Sequence, residues 1–236
     1  MIYSFADFKI EYEGLYEQMR KLCLDYEANG VPDVTLKLTE ADIDAEKQLA
    51  DAEYSNGYIE TIAFYRKLAD WLPQNNAFVL HSALFDVDGT GIAFAAHSGT
   101  GKTTHMRLWK KLLGDRLKVV NGDKPIIRFF DSEPDTAYGY GTPWCGKENL
   151  GCNSKTQVKH ICFIERAKEN SCVPMKASEA VDFIFNQVYI PKEPMAVLGT
   201  MQLINKFINS CKLWKIKCNM DITAAQTAYN TIFNIK

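Results

Sequence analysis

The run Gly91-Ile-Ala-Phe-Ala-Ala96-His-Ser-Gly-Thr-Gly-Lys102-Thr103-Thr104 decides how the chain reads. It opens as an apolar, strand-like stretch and breaks at a glycine-rich turn. It then continues into Thr104–Leu113, a helix ending near Gly114 with its basic residues late, where the helix dipole favours them. Strand, loop and helix in that order are what a phosphate-binding loop requires. Gly99 and Gly101 permit backbone geometry closed to other residues, so successive N–H groups can turn inward around phosphate oxygens. The helix beginning near Lys102 points its N-terminal dipole at the same anion. Lys102 is the point charge expected at the β- and γ-phosphates, and the Thr103 hydroxyl the expected Mg²⁺ ligand. The predicted nucleotide contacts are His97, Ser98, Gly99, Thr100, Gly101, Lys102, Thr103 and Thr104, with ATP or GTP and Mg²⁺ as cofactors. Ala96 stands where the pattern GxxxxGK[ST] has its first glycine, a small residue that costs little unless a positive φ is needed there.

Upstream, Ala77–Val87 (AFVLHSALFDV) is one apolar, aromatic-rich run, followed by a turn at Asp88-Gly89 and the second run Gly91–Ala96. Two such runs joined through a DG turn predict a hairpin, with Asp86 and Asp88 shaping the turn. Downstream, strands are expected at Leu117–Asn121 and Pro125–Phe130. A Gly-rich loop over Tyr138–Gly151 then leads to a buried strand at His160–Glu165. The first 75 residues read as strand 7–11, helix 13–28, strand 33–38, a helix from 40 to about 53 capped by Thr39, and a helix Tyr58–Trp71 stopped by Pro73. Helices at about 178–189, 195–209 and 221–233 surround a short strand at Leu213–Cys218. The hairpin breaks a strict βαβ alternation, so the expected class is α/β with a mixed sheet and flanking helices. The expected organisation is an N-terminal α/β segment, 1–75, and a P-loop domain, 76–236.

The 236 residues suit one domain, or a core with a small appendage. Hydrophobic residues make up 47% and charged residues 24%, the composition of a folded, soluble chain. A net charge of −2 argues against a general attraction to nucleic acid or acidic membrane. No window approaches the run of apolar residues that spans a bilayer, and the N-terminus lacks the marks of a signal peptide. Seven cysteines form no CxxC pair, and their odd number reads as reduced thiols in a cytoplasmic protein.

The surroundings of the loop carry a resemblance. The stretch His81-Ser-Ala-Leu-Phe-Asp86-Val-Asp-Gly89-Thr-Gly91, running without a gap into Lys102-Thr103, resembles the P-loop region of the HPr kinase/phosphatase family. In that family a histidine opens a strand, an Asp and a Gly-x-Gly turn follow, and the P-loop comes next. The wider group, which includes the phosphoenolpyruvate carboxykinases, places paired aspartates at a strand end shortly after the P-loop helix. Here that place is held by Val119-Val120-Asn121-Gly122-Asp123-Lys124. The resemblance therefore implies Asp123 in the Mg²⁺ shell, while the first aspartate, the family's base toward the acceptor hydroxyl, is replaced by Gly122. The resemblance covers roughly residues 77–165. The loop Tyr140–Leu150 looks like one found in uncharacterised bacterial relatives, some of which phosphorylate serine in a precursor peptide. Full carboxykinases are much longer, and their decarboxylation chemistry is not implied.

Loop and resemblance together predict an HPr-kinase-like phosphotransferase that moves the γ-phosphate of ATP to a hydroxyl. The acceptor is serine of a peptide or protein, or a small molecule. His81 is the candidate replacement base. Lys147 is a candidate cation on a loop able to close over the site. Residues 1–75 lie outside the family-like stretch and are the expected recognition element. HPr kinases assemble as hexamers, so the resemblance also implies a homo-oligomer. Two alternatives stand beside this one. The first is a nucleotide-binding regulatory protein or NTPase without transfer activity, signalled by Gly122. The second is a small-molecule kinase of the parallel-sheet type, against which the hairpin and the absence of a lid with paired arginines count.

Overall fold

A computed structural model describes residues 1–96 and 100–235. The chain opens with a hairpin of β1 (Ile2–Phe5) and β2 (Phe8–Glu13), whose turn residues Ala6 and Asp7 both take positive φ, 53° and 60°. That mirror-image turn matches the twist of the two strands. β3 (Val34–Lys37) adds to β2 in parallel and completes a three-stranded sheet. The helix expected over 13–28 is only α1 (Gln18–Leu22) and one 3-10 turn at Leu24–Tyr26. The reason lies in Glu60, fully buried, whose carboxylate accepts the N–H groups of Leu15 and Tyr16 and the Tyr12 hydroxyl. Residues that would form a first helical turn are held as a loop instead. α2 (Glu40–Lys47) starts at the expected Thr39 cap, with a reciprocal Thr39–Asp42 capping box, but stops short of residue 53. No residue between Glu46 and Gly57 is buried, so no packing holds a further turn. α3 (Asn56–Trp71) begins two residues before the expected Tyr58, capped by Ser55.

The apolar run Ala77–Val87 is two strands rather than one, β4 (Ala77–Val79) and β5 (Ala83–Val87). Between them the chain leaves the ladder: Leu80 N still donates to Pro125 O in the register of β4 with β8, but His81 N donates to Gln187 O and Ser82 N to Asp123 O. β5 then forms the expected hairpin with β6 (Thr90–Ala95) around Asp88 (φ 49°) and Gly89 (φ 82°), and Asp86 Oδ1 accepts Gly89 N at 2.8 Å.

The remaining elements are α4 (Lys102–Leu113), β7 (Leu117–Asn121), β8 (Ile126–Phe130), β9 (Glu133–Tyr140), β10 (Lys155–Arg166), β11 (Ser171–Pro174), α5 (Ala177–Phe185), α6 (Pro194–Ser210), β12 (Lys212–Cys218) and α7 (Ile222–Ile232). The large sheet runs β4-β8-β9-β10-β6-β5-β7, with β12 beside β10 and β11 beside β12. β10 serves two halves: Lys155–Gln157 pair antiparallel with β9, while the stretch beyond pairs in parallel with both β6 and β12. Parallel and antiparallel ladders in one sheet make this the mixed α/β class expected. The loop expected from Tyr138 begins only at Gly141, because Tyr138–Tyr140 pair with β8 and β10. The helix expected to 189 ends at Phe185, because Gln187 and Val188 turn away to meet His81 and Leu80.

Strand alternation distributes the core over both sheet faces. Ala77 and Val79 face the N-terminal segment, where the rings of Phe5, Phe64 and Tyr65 lie 5.7, 6.2 and 4.9 Å from that of Trp144. Phe78 and Ala93 point the other way, toward Ile204 and Phe207 of α6. Phe85 and Phe94 pack on Trp109 of α4 and on the alanines of α7. Among the described residues no helix is long and apolar enough to cross a membrane.

Candidate functional site

Three segments distant in sequence converge at the start of α4. His81 is carried by the link between β4 and β5, its backbone pinned by the Gln187 carbonyl at 2.6 Å. Lys102 opens α4 behind Gly101, whose φ of 114° is left-handed and open to glycine without strain. Asp123 follows β7. His81 Nε2 lies 3.2 Å from Lys102 Nζ and 3.2 Å from Asp123 Oδ1. Lys102 Nζ also donates to Ala96 O at 2.8 Å, folding back over the start of the loop. Lys124 Nζ completes the cluster, 2.9 Å from Asp123 Oδ2.

The charges in this cluster are set by competing effects. Burial alone would raise the Asp123 carboxyl, but the His81 hydrogen bond and the charge and hydrogen bond of Lys124 outweigh it and hold the group at about 2. Asp123 is therefore ionised throughout the neutral range. Burial pushes the Lys102 ammonium below its ordinary range, opposed by the attraction of Asp123 and reinforced by the Lys124 charge. His81 Nε2 faces a cation and an anion at once and can serve only one of them: protonated it donates to Asp123, unprotonated it accepts from Lys102.

The turn that presents Asp123 is built by Asn121, which is fully buried. Its Oδ1 accepts from Asp123 N and Lys124 N at 2.8 and 2.7 Å, and its Nδ2 donates to Thr142 O and Oγ1. Thr142 Oγ1 in turn donates to Lys124 O. One asparagine thus ties the Asp123 turn to the loop after β9. That loop lies directly over the turn. A Cβ at Gly122 would stand 2.8 Å from Cys145 O and 3.0 Å from Leu150 O, and one at Gly146 (φ 79°) 3.0 Å from Asp123 Cβ. The place where the resembled family carries its first aspartate is therefore filled by main chain. The loop is fastened to α4 by an ion pair of Glu148 and Arg107 at 2.7 Å.

The predicted residues divide accordingly. His81, Lys102 and Asp123 meet. Thr103 and Thr104 occupy the first turn of α4, Thr103 exposed and Thr104 half-buried, with Thr100 and Gly101 immediately before it. His97, Ser98 and Gly99 lie outside the described residues. Lys147 is exposed on the covering loop, and no hydrogen bond or ion pair among the described residues brings it to the cluster. No protein-family model matches the chain, and no curated protein does. Among solved structures it is similar to the Hpr(Ser) kinase/phosphatase from Coxiella burnetii, at 10% identity and a TM-score of 0.36, over 66% of this chain and 97% of that one. This is a weak likeness of fold.

Lys124, Asn121 and Thr142 escaped the sequence reading. Asn121-Gly122 is a turn-forming pair, and that signal was available for Asn121. Nothing local marks Thr142 or the side-chain direction of Lys124, which also lies over the Tyr65 ring at 5.8 Å. His160, expected to open the buried strand, sits inside β10 between β6 and β12. There its Nδ1 accepts from Trp214 Nε1 at 3.0 Å, and burial, with the charges of Lys212 and Lys159, lowers it to about 4.

Proposed function

We propose that this chain binds a nucleoside triphosphate with Mg²⁺ at the loop preceding α4 and transfers the γ-phosphate to a hydroxyl, with serine of a peptide or protein as the favoured acceptor. The convergence of Lys102, Asp123 and His81 at a helix N-terminus carries this reading. Phosphoryl transfer needs little covalent chemistry from a protein. It needs phosphates held in line and charge neutralised where it develops. Lys102 and the loop amides would hold the β- and γ-phosphates. Thr103 and Asp123 would hold the metal. A single permanently ionised carboxylate and a hydroxyl form the sparse oxygen set that suits Mg²⁺ shared with phosphates. When bound, the metal neutralises phosphate charge.

His81 is the base in this scheme. Once the Lys102 ammonium is drawn to phosphate and the Asp123 carboxylate is engaged with the metal, an unprotonated Nε2 would be free of both partners and able to accept the proton of an incoming hydroxyl. Lys147 rides on the loop that covers Asp123 and is assigned to the acceptor side. Residues 1–75 are assigned to acceptor recognition. Nothing in the chain's charge calls for a nucleic-acid or membrane partner.

Gly122 favours a second reading, nucleotide binding without transfer, because the covering loop leaves no room for a side chain at the position of the family's base. The two separate in one experiment. Wild type and His81→Asn are incubated with γ-labelled ATP, Mg²⁺ and a library of serine peptides, and label in peptide and in free phosphate is counted. Label entering peptide with wild type alone supports the kinase. Binding of nucleotide with no label moved by either protein supports the regulatory reading.

A further inference from the structure

A cavity of ≈ 400 Å³ opens beside the cluster, at the carboxyl ends of the parallel strands β6 and β10 and under α5. Ala95, Ala96, Thr100, Phe163, Phe183 and Gln187 are among its lining residues. It shares Ala96 and Gln187 with the site already described: Ala96 O holds the Lys102 ammonium, and Gln187 O holds the backbone of His81. The carboxyl end of parallel strands is where open α/β sheets bind their ligands, and the volume falls in the range that takes a small organic molecule.

The chemistry of the wall narrows what that molecule is. Phe163 and Phe183 present two rings, centroids 5.4 Å apart and tilted 51°. Gln187 is 6% exposed, its Nε2 donates to Asn186 O at 3.1 Å, and its Oε1 has no hydrogen-bond partner among the described residues. A buried acceptor left unmade is costly, and it is satisfied only by an N–H or O–H donor. A flat ring for the aromatic wall and an N–H edge for the amide are together the features of a nucleobase. A serine side chain offers neither the ring nor the bulk. Position agrees: the cavity lies on the β10 side of β6, whereas Asp123 follows β7 on the other side, beyond β5. A triphosphate with its terminal phosphate at Asp123 would leave its nucleoside on the cavity side.

We propose that this cavity is the base site of the nucleotide, taking an amino-bearing purine against Phe163 and Phe183 with its amino group donating to Gln187 Oε1. The inference rests on the proposed phosphate site, and its test keeps the two apart. Calorimetric titrations with Mg²⁺ use a non-hydrolysable ATP analogue, the GTP analogue and inorganic tripolyphosphate, on wild type, Phe183→Ala and Gln187→Leu. Gln187→Leu removes the unpaired buried acceptor at similar volume and gives up one bond, to the carbonyl of the exposed Asn186, and its Tm is measured alongside to show that it folds. The expected result is an ATP or GTP analogue bound about ten-fold or more tightly than tripolyphosphate, a margin that both variants reduce while tripolyphosphate affinity stays unchanged. The preferred analogue identifies the base. Equal affinity for nucleotide and tripolyphosphate, or variants that weaken both alike, would overturn the base site and leave the phosphate site standing. If neither ligand binds wild type, both fall together.

Discussion

His81 Nε2 lies 3.2 Å from Asp123 Oδ1, in contact with a carboxylate that stays ionised down to a pH of about 2. The contact exists because two backbone hydrogen bonds, Leu80 N to Pro125 O and Ser82 N to Asp123 O, tie the β4–β5 link to the turn after β7, while His81 N is held by Gln187 O. A histidine held this way can move a proton while its neighbour keeps the charge.

For His81 the expected outcome is a separation of binding from chemistry. His81→Asn should lower the rate of phosphate transfer by about 10²- to 10⁴-fold, the usual worth of a positioned base, with nucleotide affinity unchanged. Single-turnover transfer and calorimetry on the same protein measure the two quantities. Equal loss of both would assign His81 to binding.

Asp123 makes a prediction about pH. Its folded value, about 2, lies below the ordinary 3.8, so the carboxylate stabilises the fold fully above pH 5, and that contribution is lost as pH falls from about 4 through 2. The shift corresponds to ~2 kcal/mol, and the side chain is only 22% exposed, so screening leaves most of it. Urea denaturation of wild type and Asp123→Asn should show a gap that is constant near neutrality and closes toward pH 2. Removing the cation in Lys124→Gln should move the closing upward in pH. A gap that widens in acid would contradict the charge assignment.

Gly122 is held glycine by the loop above it. In Gly122→Asp the Cβ would meet Cys145 O at 2.8 Å and Leu150 O at 3.0 Å, with a new carboxylate beside two carbonyls. Destabilisation of about 1–3 kcal/mol is expected, the range for forcing atoms into packed space, with a lowered Tm. An unchanged Tm would mean that the loop lifts freely.

The fastening of that loop is a surface matter. Arg107 and Glu148 are 66% and 39% exposed, so Glu148→Gln should change global stability by only about 0–1 kcal/mol. Its effect should appear instead as faster amide hydrogen exchange over residues 146–150, and unaltered exchange there would show the ion pair to be idle.

The helix Lys102–Leu113, the β5–β6 hairpin and strand Leu117–Asn121 were legible because their signals are local: a glycine-rich turn, a DG pair, an apolar run of strand length. The meeting of His81 and Asp123 was legible only through the resemblance. What escaped depends on contacts between segments. The Glu60 carboxylate that captures Leu15 and Tyr16 acts across the N-terminal fold, and no local pattern foretells it. The break at His81 and Ser82 is likewise set by carbonyls at Gln187 and Asp123. β9 was partly masked as well: Tyr138-Gly139-Tyr140 reads as the start of a loop, but a Cβ at Gly139 would collide with Leu84 and Val158, so the glycine serves close packing inside a strand.

Residues 1–75 and the loop over the Asp123 turn share a core around Trp144, and Tyr65 of α3 lies under Lys124. The proposed role of this segment in acceptor recognition is therefore better examined by changing its exposed residues than by deleting it, since deletion would uncover Trp144.

The most direct measurement is a calorimetric titration of a non-hydrolysable ATP analogue with Mg²⁺ into wild type and Lys102→Ala. Saturable binding by wild type, lost in the variant while its Tm is retained, is the predicted result. Absence of binding by wild type, or equal binding by both, would contradict a nucleotide site at the start of α4.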